Sequence, residues 1–227
     1  MELDSVYIGV SDLEAAADDY ERLLGVSARR DADGTCRFQL GRGAVVLESG
    51  ALGLHAVRFV SSDPAEVDRW SAAGDAFNGI DVRAGAPPDR VAAVEPGPGG
   101  VEAIDHVVIR TEDPERAIAL WRDRLGVRLA LDAQFPERGL RMCFFRSAGI
   151  TLEFVSSLMP PAGRPGPDSF YGVAYQVGDL DAWRERLLAA GLEVSDVHRG
   201  QKRDTRVVTV RSGTAGVPTL LIANSRQ

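Results

Sequence analysis

Two residues stand out for the chemistry they could do: His106, in the run IDHVVIR, and Glu153, in the run ITLEFV. A carboxylate inside so apolar a run must be paired, coordinated or turned towards a wet cavity, because a lone charge in apolar surroundings is strongly unfavourable. If both runs are strands, alternation puts Val107 and Ile109 on one face and His106, Val108 and Arg110 on the other. Thr151 and Glu153 likewise share a face, opposite Ile150, Leu152 and Phe154. An imidazole and a carboxylate so placed can move a proton or supply two ligands to a divalent metal. The plainer reading of each is a hydrogen-bonded residue in a pocket wall. A third histidine, His198, sits in SDVHRGQKRDTR and reads as exposed. Its neighbours Arg199, Lys202, Arg203 and Arg206 form a basic cluster in an otherwise acidic chain. That cluster is either a solvated turn or a loop whose Lys and Arg meet a carboxylate or phosphate on a substrate. No GxGxxG, Walker loop, GxSxG elbow or HExxH occurs, which disfavours nucleotide, serine-hydrolase and zincin chemistry.

The elements that must position these residues recur four times. A short apolar strand, an acidic turn, an amphipathic helix and a closing glycine appear at 5–25, 56–74, 106–126 and 172–191. Ser11 with Glu14, and Asp63 with Glu66, have capping-box spacing. Asp63–Pro64 and Asp113–Pro114 suit an N-cap followed by proline at the first helical position. Leu13, Ala16, Ala17, Tyr20 and Leu24 line one helix face, as do Ala117, Leu120, Trp121 and Leu125. Gly25, Gly74, Gly126 and Gly191 supply left-handed caps. Trp70, Trp121 and Trp183 fall on these helices and read as packing residues. β-like runs follow at 35–40 and 44–47, at 140–145 and 150–155, and at 205–211 and 219–222. The second copy is the poorest, with 81–82 and 90–94 broken by Gly85, Pro87 and Pro88. The unit is β-α-β-β-β, and the expected class is α+β.

At 227 residues, 44% hydrophobic and 26% charged, the chain is an ordinary globular protein with room for two domains. PGPGG at 96–100 is the expected boundary, between an N-terminal domain (1–98, units 1–50 and 53–98) and a C-terminal one (101–227, units 103–158 and 170–227). Cys36 and Cys143 are too few for a disulfide framework and read as strand residues in a reducing compartment. A net charge of −7 argues against a nucleic-acid surface. The apolar runs fall short of the ~18–20 residues that cross a bilayer, and no export signal is visible, so no membrane association and a cytoplasmic location are expected.

IDHVVIRTEDPERAIALWRDRLGV and ITLEFV, supported by the weaker copies, resemble the vicinal oxygen chelate superfamily. That superfamily includes glyoxalase I, extradiol dioxygenases, methylmalonyl-CoA epimerase and bleomycin-resistance proteins. The resemblance implies four βαβββ units in two paired, curved, mixed β-sheet domains with the helices outside. It also implies a pocket on the face away from the helices, with ligands from the first and last strands of each unit, where His106 and Glu153 match. Aligning the copies on the helix-start Asp puts Ser5, Ala56 and Gly172 at the His106 position, and Glu48 and Leu221 at that of Glu153, with Glu95 as a fourth equivalent. His55 would complete a two-His-one-carboxylate set with His106 and Glu153, but it lies one residue out of register and needs a bulge. Pairing of copies two and three in place of chain order would add Glu95 to that set.

The resemblance implies a small-molecule enzyme of glyoxalase or dioxygenase type, with isomerase or lyase chemistry ahead of ring cleavage because Gly172 replaces a second histidine. His106 and Glu153 are its expected catalytic residues. Arg110, Gln176, Lys202 and Arg206 are its expected substrate contacts. The cofactor is one divalent metal (Fe, Mn, Ni or Zn) on His106, Glu153 and His55, or none. The alternative is a non-catalytic ligand-sequestering protein of bleomycin-resistance type. Partners are limited to a small molecule, and a homodimer is compatible with the fold.

Overall fold

A computed structural model describes residues 1–88 and 100–224. The first copy forms β1 (Glu2–Val10), α1 (Leu13–Leu24), β2 (Arg29–Arg30), β3 (Cys36–Gln39) and β4 (Ala44–Ser49). In the second the described residues form β5 (Gly53–Val60), α2 (Pro64–Ser71) and β6 (Asp81–Gly85). Strand β6 stops at Gly85, before Pro87 and Pro88, and the expected run at 90–94, with Glu95, lies outside the described residues. The third forms β7 (Val101–Arg110), α3 (Pro114–Ile118), β8 (Arg128–Phe135), β9 (Leu140–Ser147) and β10 (Ile150–Ser157). The fourth forms β11 (Ser169–Val177), α4 (Leu180–Ala189), β12 (His198–Arg199), β13 (Thr205–Val210) and β14 (Thr219–Asn224). Strands β1–β6 make a six-stranded mixed sheet and β7–β14 an eight-stranded one, so sheets group the copies in chain order.

All four helices start on aspartate. Asp12, Asp63, Asp113 and Asp179 accept from the backbone N–H groups of Ala15, Ala65, Arg116 and Ala182 at 3.0–3.1 Å. Such a side chain satisfies a donor that the helix cannot. The first cap is therefore Asp12, where Ser11 was expected: Asp12 holds the extended backbone of an N-cap. At the other end of α1, Gly25 is left-handed at φ 72°.

Compact units cut across the sheets. One consists of Met1–Asp4, His55–Pro88 and His106–Tyr171, and joins copies two and three; the other joins the described parts of 5–54, 89–105 and 172–227. In the first unit the binding force is aromatic. Trp70 of α2 meets Trp121 edge-on at 5.8 Å, and Phe59, Phe77 and Phe154 lie 5.5–5.8 Å from Trp121. Such ring pairs add about 0.5–1.5 kcal/mol each beyond their buried area. Trp121 sits in a π-helical continuation of α3, Ala119–Arg124, whose wide turn is closed by Leu125 N–H donating to the Leu120 carbonyl at 3.0 Å. The segment before β11 is tied to the same unit through buried Asp168, which accepts from Arg116 at 2.8 Å. In the second unit the Trp183 indole donates to the Leu23 carbonyl at 3.1 Å, joining α4 to α1.

The β9–β10 hairpin sets the register that matters for the site. Its two central residues, Ala148 and Gly149, both have positive φ (48° and 82°), as a type I′ turn demands. Glycine adopts that backbone freely, whereas alanine is strained there. Ala148→Gly should therefore raise unfolding stability by about 1 kcal/mol, read as a higher urea midpoint with an unchanged slope.

Candidate functional site

The site is built on the half-sheet β7–β10–β9–β8. Strand β10 pairs in parallel with β7, His106 opposite Thr151 and Val108 opposite Glu153. It pairs antiparallel with β9, Thr151 opposite Arg146 and Glu153 opposite Phe144, and β9 pairs with β8, Arg146 opposite Arg128 and Phe144 opposite Leu131. Residues opposite one another share a face. One face carries Val107, Ile109, Leu152 and Phe154, all fully buried. The other carries three rows across the strands: His106–Thr151–Arg146–Arg128, then Val108–Glu153–Phe144–Leu131, then Arg110–Val155–Met142–Ala133.

This second face is less buried than the first. His106, Val108, Glu153, Phe144 and Val155 are half-buried, Arg110 and Arg146 are exposed, and Leu131 is 51% exposed. His106 and Glu153 lie one strand and one pleat apart, about 7–8 Å between Cα positions. Thr151, between them and buried, accepts from Arg146 Nη1 at 2.7 Å. The Arg110 guanidinium stacks over the Tyr171 ring at 4.0 Å. The arrangement sets one carboxylate in the middle of an apolar row, with cations and an imidazole to either side. Such a surface holds a small polar molecule against a base.

His106, Glu153 and Arg110 thus share one surface, as strand parity indicated. His55 is placed otherwise: β5 runs in unbroken register against β6 from Ala56 to Val60, and alternation puts His55 with the buried Val57 and Phe59. Among the described residues no three His, Cys, Asp or Glu side chains group closely enough to hold a metal ion. The other substrate candidates belong to the second unit. There Gln176 accepts from Arg42 Nη2 at 2.9 Å. Lys202 is exposed in the β12–β13 turn. Arg206 grips Asp181 of α4 through two hydrogen bonds of 2.6 and 2.7 Å, which raise its pKa and turn it to the helix side.

Register corrects two of the expected equivalences. Glu153 pairs with Val108, so its counterpart in copy four is the partner of Ala174, which is Leu220. Leu221 pairs instead with Tyr175 and is fully buried. In copy one the counterpart is Val46, and Glu48 lies one pleat further along, opposite Gly9. Copy one is also closed on this face: Ser5, Tyr7, Arg37 and Val46 are at most 9% exposed. In copy two the positions fall to Ala56 and Arg83. A catalytic divalent site needs about three protein ligands. Copy three supplies two, and its counterparts Ala56, Arg83, Gly172 and Leu220 supply no metal-binding carboxylate or imidazole. The described residues do not fit such a metal.

Sequence reasoning missed Arg146, Arg128, Phe144 and Leu131. The signal lay in LALDAQF and LRMCFFRS, whose alternation marks strands, but pairing them needed the hairpin turn. The thiols take no part in the site. Burial, aided by the charge of Asp132, pushes the Cys143 thiol up to about 12, and burial raises Cys36 as well. A thiol so shifted holds almost no thiolate near neutrality. Ellman's reagent at pH 8 should label neither cysteine in the native protein and both in denaturant.

Residues 105–209 match the family described as the Glyoxalase/Bleomycin resistance protein/Dioxygenase superfamily. An ethylmalonyl-CoA/methylmalonyl-CoA epimerase from Cereibacter sphaeroides is 28% identical over 101 residues, 40% of this chain and 72% of that protein. The crystal structure of BphC, a halotolerant catechol dioxygenase, matches with a TM-score of 0.69 at 12% identity, covering 98% of this chain and 86% of its own. At that identity it shows the fold alone, a glyoxalase-like two-domain architecture. Methylmalonyl-CoA epimerase from Mycobacterium tuberculosis matches over 55% of this chain and 89% of its own, with 24% identity and a TM-score of 0.45.

Proposed function

We propose that this chain, whose residues 105–209 match the Glyoxalase/Bleomycin resistance protein/Dioxygenase superfamily, is an isomerase-type enzyme that moves a proton at a carbon next to a carbonyl. The carrying observation is the placement of Glu153, a half-buried carboxylate in the row Val108–Glu153–Phe144–Leu131, one pleat from His106. The C–H bond breaks, the proton passes to the Glu153 carboxylate, and the electron pair moves onto the carbonyl oxygen as an enolate. His106 hydrogen-bonds that oxygen. Return of the proton from Glu153 or from water completes the exchange. The half-buried position of Glu153 between Val108 and Phe144 favours this assignment, because it sets the carboxylate where an apolar part of a substrate can lie against it.

Proton transfer suits this donor set better than ring cleavage, since activation of dioxygen on a catechol would call on the two-His-one-carboxylate ligands that the described residues do not assemble. The epimerase relative supports the same choice of reaction class. No metal is needed by any of these steps.

The test is α-proton exchange in D2O, followed by NMR on methylmalonyl-CoA and on a panel of other epimerisable acids and hemithioacetals. Wild type should exchange at least one of them, and Glu153→Gln should lose about 10²–10⁴-fold in rate, the usual worth of a general base. Exchange that persists when both His106 and Glu153 are replaced by Ala sinks the reading. Ligand binding without any exchange would favour a sequestering protein.

A further inference from the structure

Two arginines on the open face stand directly opposite one another: Arg128 on β8 and Arg146 on β9. Like charges at facing positions of neighbouring strands repel and weaken the sheet. Among the described residues neither is in an ion pair with a carboxylate, whereas Arg141, further along the same strand, is held by Asp132 and Glu115. Arg146 is oriented by its 2.7 Å bond to the Thr151 hydroxyl, and Thr151 in turn stands opposite His106. The row His106–Thr151–Arg146–Arg128 therefore runs beside the row that holds Glu153, one pleat or about 6.6 Å away.

We propose that Arg146, backed by Arg128, is a carboxylate-binding subsite of this face, so that the substrate is a carboxylic acid whose carboxylate lies within a few bonds of the carbon that Glu153 deprotonates. The inference rests on the proton-transfer reading for the role of that carbon. A guanidinium presents paired N–H donors that match a carboxylate edge to edge. The bound anion relieves the repulsion between Arg128 and Arg146, which a neutral ligand leaves in place. The same positive charge, next to the developing enolate, offsets the negative charge that forms there. Substrates of this class carry an acidic C–H between a carbonyl and a carboxylate, or one bond beyond it.

Titration of the full chain with free methylmalonate, followed by NMR or calorimetry, tests the subsite without requiring turnover. Wild type should bind it, Arg146→Ala should bind at least 10-fold more weakly, Arg146→Lys should recover part of the loss, and Arg128→Ala should lose about 3-fold. The neutral dimethyl ester should not distinguish wild type from Arg146→Ala. Glu153→Gln should still bind it and lose the exchange. Failure to bind methylmalonate, or equal affinity in wild type and Arg146→Ala, overturns the subsite even if exchange depends on Glu153. Arg146-dependent binding with no exchange in any variant overturns the proton-transfer reading and leaves the subsite standing.

Discussion

Everything at this face depends on burial of the opposite one. Val107, Ile109, Leu152 and Phe154 are fully buried, and Phe154 lies 5.6 Å from the ring of Trp121. Burying such side chains is worth about 1.5–3 kcal/mol each, so a one-residue slip of β7 or β10 would exchange that whole apolar set for His106, Thr151 and Glu153. Register is thus locked from the far side of the sheet. The polar face inherits its geometry from a core it never touches, and His106 and Glu153 are held in relation by contacts that involve neither.

The same locking explains what could be read from the sequence. Helix starts were legible because each rests on an aspartate acting within three residues, and Asp63, Asp113 and Asp179 repeat at the same place in the pattern. The shared face of His106 and Arg110 was legible because alternation is local to one strand. Glu48 and Leu221 were misaligned because the last strand reaches its place only after two hairpins, whose lengths differ between copies. Aromatic packing of α2 on α3 was not legible either: Trp70 and Trp121 look the same whichever helices they join.

The four copies have diverged in what their open faces do. In copy one Ser5 and Arg37 are buried at 0% and 5% exposure, and a Cβ on Gly9 would lie 1.4 Å from the Ala51 carbonyl oxygen. The chain itself lies against the strand at the point where a ligand would sit. In copy two the matching positions among the described residues are Ala56 and Arg83. Among the described residues copy three combines a half-buried apolar row with a carboxylate and an imidazole. Repeats that fold by the same capped unit need not share chemistry, because the unit fixes the helix-side face and leaves the other free to change.

That freedom bears on how a charge can be stabilised without a metal. A bound divalent cation supplies a strong, compact positive charge but needs about three converging donors. Two strands of copy three supply two, and among the described residues the matching positions of the other copies are aliphatic, serine, glycine or arginine. An arginine brings its charge on its own side chain and needs only orientation, which Thr151 gives to Arg146 from the neighbouring strand. The cost is a broader charge, partly spent on water, and so a smaller stabilisation of an enolate than a desolvated metal gives. A carbon acid already activated by a second carbonyl or carboxylate makes the smaller demand, and an oriented guanidinium is enough to meet it.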